Sequence, residues 1–153
     1  MSFQAALWAR EIRCHLSVRQ SLHLDLLRGV VDAGPRTLVH GDSHLGNVVR
    51  SSLGQPLLVD WQSARIGTSA GDIAFALTRA AAETGAVPRD RVIGAYSAAA
   101  GVEPDPTRRA VTAQQLLTLV EQYPEFADFL GTRDIDRLRR TFDLLLSEWA
   151  DQG

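Results

Sequence analysis

Lysine is absent from this 153-residue chain: all 16 of its basic residues are arginine. Chemistry that needs a lysine ammonium must therefore come from another molecule. Cysteine occurs once, as Cys14. An internal disulfide is excluded, and a reducing compartment, the cytoplasm, is expected. Cys14 lies in a helical stretch and reads as a buried, inert thiol. Charge of one sign is also lacking: the net charge is −2, so nothing draws the chain to nucleic acid or to an anionic membrane. No apolar run is long enough to span a bilayer, and residues 1–16 lack the basic-then-apolar order of a signal peptide. Repeats, low-complexity tracts and linkers are missing too, and the length suits a single domain over residues 1–153.

What is present alternates between two periods. Trp8, Ile12 and Leu16 recur at helical spacing, as do Leu22, Leu26 and Val30, until Gly34-Pro35 ends the pattern. Short β-like pieces follow at Thr37–Val39, Val48-Val49 and Leu57–Val59. Residues 51–56 form a turn by composition. Helical patterns return over Ile73–Glu83, ended by Gly85, and over Asp90–Ala100, ended by Gly101. Pro104 and Pro106 mark a loop, and Arg108–Gln122 and Ile135–Trp149 read as the last two helices. In the final one, Leu138, Phe142, Leu145 and Trp149 share one stripe, which predicts a core face. The expected fold is mainly α with a small β-hairpin region inserted among the helices.

Polar residues concentrate in that insert, in the run His40-Gly41-Asp42-Ser43-His44-Leu45-Gly46-Asn47. Asp60 follows Asn47 by 13 residues, in Val59-Asp60-Trp61, and Asp72 follows Asp60 by 12, in Gly71-Asp72-Ile73-Ala74. Phosphoryl transfer needs a carboxylate that orients and deprotonates a hydroxyl, and oxygen ligands that hold Mg²⁺ against nucleotide phosphates. Asp42, Asn47 and Asp60 are that set of groups. His40 can orient the loop, and Asp72 can cap its helix or brace the loop through backbone N–H groups. Taken singly, each Asp or Asn also suits a turn or cap. A zinc pair at His40 and His44 is disfavoured, since Gly41 opposes helix and no third ligand is evident. Trp61 reads as packing. Arg65 can meet a phosphate or carboxylate, or remain an ordinary surface arginine.

The octet resembles the catalytic loop of the aminoglycoside phosphotransferase and choline kinase families, His-Gly-Asp-x-His-x-x-Asn. Val59-Asp60-Trp61 is similar to their metal-binding Asp element, and Gly71-Asp72-Ile73-Ala74 to their Asp-Leu-Ala helix start. The resemblance implies a protein-kinase-like C-lobe with Asp42 as catalytic base and His40 beside it. Asn47 and Asp60 would be Mg²⁺ ligands in a nucleotide site that Arg65 borders, with His44 and Asp72 as structural supports. It implies ATP and Mg²⁺ as cofactors and a small-molecule hydroxyl as acceptor. Acidic residues such as Glu121 and Glu125 would hold a cationic substrate, or form a solvated helix face.

The resemblance covers one lobe. The family's N-lobe brings a nucleotide-covering loop and a phosphate-clamping lysine paired with a glutamate. This sequence has no lysine and no Gly-x-Gly-x-x-Gly. A truncated kinase lobe is expected, with Met1 as a genuine start. Its clamp would come from a partner or a dimer mate. The alternatives are a repurposed lobe that binds or transforms a small molecule without ATP, and a pseudokinase-like interaction module.

Overall fold

The computed structural model describes residues 21–126 and 129–151. The stripe of Trp8, Ile12 and Leu16, and Cys14 beside it, lie outside the described residues. The described chain is mainly helical, with two small antiparallel ribbons. Helix α1 spans Ser21–Asp32. Strand β1 (Arg36–Val39) leads to the polar loop, then come β2 (Val48–Arg50), β3 (Pro56–Leu58) and β4 (Arg65–Thr68). Helix α2 (Ser69–Thr84) follows directly, then α3 (Arg89–Ala100) and α4 (Pro104–Leu117). A π-helical turn, Thr118–Gln122, continues α4 into the short α5 (Tyr123–Phe126), and α6 (Thr132–Asp151) closes the described chain.

Strand β1 pairs with β4, from Arg36 opposite Thr68 to Val39 opposite Arg65. Strand β2 pairs with β3, with Val48 opposite Leu58. The fourth strand was not legible in sequence. In Arg65-Ile66-Gly67-Thr68 only Ile66 is a large apolar residue, and a neighbouring strand, rather than propensity, extends the segment.

Four helices make the main core. Leu27 and Val31 of α1 share one cluster with Leu116 of α4, with Leu138, Phe142 and Leu145 of α6, and with Ala82 of α2. Each such side chain stabilises the fold by roughly 1.5–3 kcal/mol. The α6 stripe is as expected, with Trp149 partly buried at its end. The α1 stripe is displaced by one residue: Leu27 is 3% exposed and Leu26 is 49% exposed. Leucine repeats at 26 and 27 and valine at 30 and 31, so a four-residue period fits either phase. Pro104 also corrects the expected loop, since it sits at the first turn of α4, where a missing N–H costs nothing.

A second cluster joins α2, α3 and α4 through Ala74, Leu77, Ile93 and Val111. Beside it a polar network ties α3 to α4 and α6. The Arg89 guanidinium donates to Gln115 Oε1 at 3.0 Å, to Glu148 Oε2 at 2.8 Å and to Thr112 Oγ1. Gln115 Nε2 in turn donates to Thr78 Oγ1 of α2 at 3.4 Å. Such groups are tolerated inside because each meets a partner. Among the described residues no helix is long and apolar enough to cross a membrane.

Candidate functional site

The His40–Asn47 loop is anchored at both ends by strands, β1 before it and β2 after it. Its entry requires glycine. Gly41 has φ +83°, and a Cβ there would overlap the Ser63 carbonyl and the Arg65 guanidinium. Asp72, in the first turn of α2, accepts from the His40 N–H at 2.7 Å and from the Gly41 N–H at 2.8 Å. The Asp72 carbonyl accepts from Ser43 Oγ at 2.6 Å. Both carboxylate oxygens therefore fix the loop's entry, and the carboxylate does not cap its own helix.

His40 is 1% exposed. Its Nδ1 accepts from the Asp42 N–H at 3.3 Å, so the ring proton sits on Nε2 and is donated to the Val59 carbonyl at 2.8 Å. One buried ring thus joins the loop to the segment carrying Asp60. The Asn47 carbonyl adds a second link, accepting from the Val59 N–H at 2.8 Å. Trp61 stands edge-on to His40, ring centroids 4.7 Å apart, and its indole N–H donates to the Leu58 carbonyl at 2.8 Å. At 48% exposure it packs on the site rather than in the core.

Asn47 Nδ2 donates to the Asp42 carbonyl at 2.9 Å and to Asp42 Oδ2 at 3.2 Å. With both amide hydrogens turned to Asp42, the Asn47 side-chain oxygen is left for a cation. His44 Nδ1 accepts from the Gly46 N–H at 3.0 Å, which caps the short turn Leu45–Asn47. Its Nε2 lies 3.7 Å from Asp42 Oδ1, too far for a direct hydrogen bond.

Asp60 is the one non-glycine at positive φ among the described residues, at φ 66°, ψ 60°. Aspartate tolerates this left-handed geometry better than most side chains, and such strain clusters at functional sites. Asp60 is exposed and makes no cap bond of its own. Arg65 opens β4, donates to the Ser63 carbonyl at 3.3 Å, and lines a hollow with Gly41 and Asp72.

The donor chemistry fits magnesium. Mg²⁺ takes one or two carboxylates and completes its shell with water and substrate phosphates, so it needs no all-protein cage. Among the described residues no three His, Cys, Asp or Glu side chains group as a metal site. Both ring nitrogens of His40 are already engaged.

The family model described as the phosphotransferase enzyme family (APH) matches residues 2–113. The chain belongs to this family. No curated protein and no solved structure matches it. The match to the phosphotransferase family spans all seven candidate residues, His40, Asp42, His44, Asn47, Asp60, Arg65 and Asp72. The π-helical turn and α6 lie past its end.

Sequence reasoning passed over four side chains beside this site. Phe75 neighbours His44, ring centroids 6.4 Å apart, and shares a hollow with Gln114, Thr118 and Gln122. The signal was available, since three polar residues four apart interrupt an otherwise apolar helical pattern. Glu121, a candidate for cation binding, instead pairs with Arg28 of α1. The Glu125 side chain lies outside those described.

Proposed function

We propose that this chain carries the catalytic loop of a small-molecule kinase, which passes the γ-phosphoryl group of ATP to a hydroxyl. The observation that supports it best is the Asp42–Asn47 pairing: one amide holds the base and still offers an oxygen to a metal. Asp42 takes the proton of the acceptor hydroxyl. The acceptor oxygen bonds to the γ-phosphorus as the bond to the β–γ bridging oxygen breaks, and ADP leaves. Asn47 holds Asp42 in place and, with Asp60, would hold Mg²⁺, which when bound neutralises charge on the phosphates. Asp72 keeps the loop in register, and His40 keeps the Asp60 segment against it. Arg65, which lines a hollow with Gly41 and Asp72, is the candidate for a phosphate contact.

The phosphate clamp comes from outside residues 1–153. With no lysine in the sequence, two or three charge-assisted bonds of about 1.5–3 kcal/mol each are lost. Nucleotide affinity of this chain alone then falls by several powers of ten. A lysine-bearing lobe or a dimer mate restores it, in the cytoplasm where ATP is available.

Transfer of labelled γ-phosphoryl to small hydroxyl acceptors tests this. Asp42→Asn should lower the rate about 100-fold or more. Equal, measurable rates for wild type, Asp42→Asn and Asp60→Asn would sink the proposal. A second reading, an interaction module, is favoured by one observation: Leu38, Leu45, Leu53 and Ile66 of the β region are all more than 60% exposed.

A further inference from the structure

Two hollows adjoin the loop on the side of His44. One, of about 190 Å³, is lined by Gly41, Asp72, Phe75, Gln114, Thr118 and Gln122 among others. The other, of about 220 Å³, shares Phe75 and Gln122 and adds Arg79, Glu83, Tyr123 and Asp134. Their place beside the base follows from the contacts around it. Phe75 neighbours the His44 ring, and His44 Nε2 is 3.7 Å from Asp42 Oδ1. Gly41, in the lining, is bonded directly to Asp42.

The lining specifies a chemical class. Gln114 donates to Thr118 Oγ1 at 3.3 Å, which leaves the Gln114 carbonyl oxygen for a ligand. Gln122 makes no side-chain hydrogen bond among the described residues, so it offers both donors and an acceptor. The π-helical turn Thr118–Gln122 brings them together. Its wider winding keeps residues four apart nearer one face than an α-helix does, and π turns recur at functional sites. Phe75 and Tyr123 add flat apolar surface. Amides and a hydroxyl beside aromatic faces suit a ligand with alternating hydroxyl and C–H surface.

The charges point away from a polycation. Both Asp72 oxygens hold backbone N–H groups. Glu83 accepts from Arg79 at 2.9 Å, and Asp134 accepts from the Gly131 N–H at 3.2 Å and lies 3.5 Å from Arg137. Arg65 lines the first hollow and repels a cation, while Arg79 in the second is paired with Glu83.

We infer that the acceptor is a neutral polyhydroxylated molecule, sugar- or polyol-like, seated on Phe75 and held by Gln114 and Gln122. This rests on the phosphotransfer reading for its chemistry but not for its binding, which needs no nucleotide. The test is an NMR titration of the chain with inositol and with methyl glucoside, and separately with spermidine as a polycation. The expected result is that a neutral polyol, at millimolar concentration, shifts the Gln122 side-chain amide and the Phe75 ring resonances. Spermidine should leave them in place. Gln122→Leu, an exposed position at which folding is checked by circular dichroism, should weaken the polyol about tenfold. The inference is overturned if no polyol shifts these signals, if spermidine shifts them instead, or if Gln122→Leu binds as wild type does. Polyol binding together with a phosphotransfer rate that Asp42→Asn leaves unchanged would uphold the pocket and remove the kinase reading. Mg²⁺-ATP binding with no polyol response would do the reverse.

Discussion

The helical body and the β ribbons of this chain solve different problems with the same residue types. Leu138 in α6 is fully buried, while Leu53, at the turn between β2 and β3, is 83% exposed. In the body, apolar side chains supply the stability, and the buried polar groups of the Arg89 network are paired with one another. In the ribbons, most apolar side chains face out, Val39 excepted, and the segment is held by strand pairing and by bonds to His40 and Asp72. Stability is concentrated in one region and chemistry in the other. Asp72 joins them, because it belongs to α2 yet spends both oxygens on the loop.

That contrast can be broken at its strong end. Leu138→Ala should cost about 3–5 kcal/mol in chemical denaturation, since it opens a cavity in a fully buried site. Asp72→Ala should cost about 3 kcal/mol, because two N–H groups lose a charged acceptor. Its mark is local as well: hydrogen exchange at His40 and Gly41 should accelerate far more than exchange within α6. Equal acceleration throughout would mean that Asp72 does not join two separable regions.

A third test uses pH. Burial pushes the Tyr123 phenol up to about 12 from the usual 10.0, with Arg79 lowering it and Glu83 raising it by smaller amounts. The folded state thus holds this proton more tightly than the unfolded chain. Stability is full below pH 10 and falls as the pH rises from 10.0 to about 12. Two pH units correspond to about 2–3 kcal/mol. Lysine, which would titrate in the same window, is absent, so the slope is unusually clean. Tyr123→Phe should flatten it, as read from denaturant midpoints between pH 9 and pH 12, the range set by that shift. The smallest effect belongs to the ribbon tip: Leu53→Ser should change stability by no more than about 0.5 kcal/mol. A larger loss there would show that the exposed ribbon contributes to the core after all.

The two regions also differed in how much the sequence disclosed. Helical stripes report burial directly, so α2, α3 and α6 were legible to within a few residues. Where Leu26-Leu27 and Val30-Val31 double the stripe, the period is readable and the phase is not. Strand β4 was invisible because pairing with β1, not its own composition, extends it. The family was legible from the motif between His40 and Asp72, since chemistry restricts residue type at fixed spacing. The arrangement of those residues was not: that Asp72 braces two N–H groups, or that His40 links to Val59, follows only from the folded chain. Gln114, Thr118 and Gln122 were readable as polar residues four apart, but that a π-helical turn sets them beside the loop follows only from the folded chain.

The central claim is the proposal that Asn47 and Asp60 hold a magnesium-nucleotide complex beside the base Asp42. Calorimetric titration of the chain with ATP, with and without Mg²⁺, tests it most directly. The account predicts weak binding at millimolar ATP that requires Mg²⁺ and disappears in Asp60→Asn, a substitution that tolerates the left-handed backbone at this position. Nucleotide binding that ignores Mg²⁺, or that survives Asp60→Asn unchanged, would contradict it.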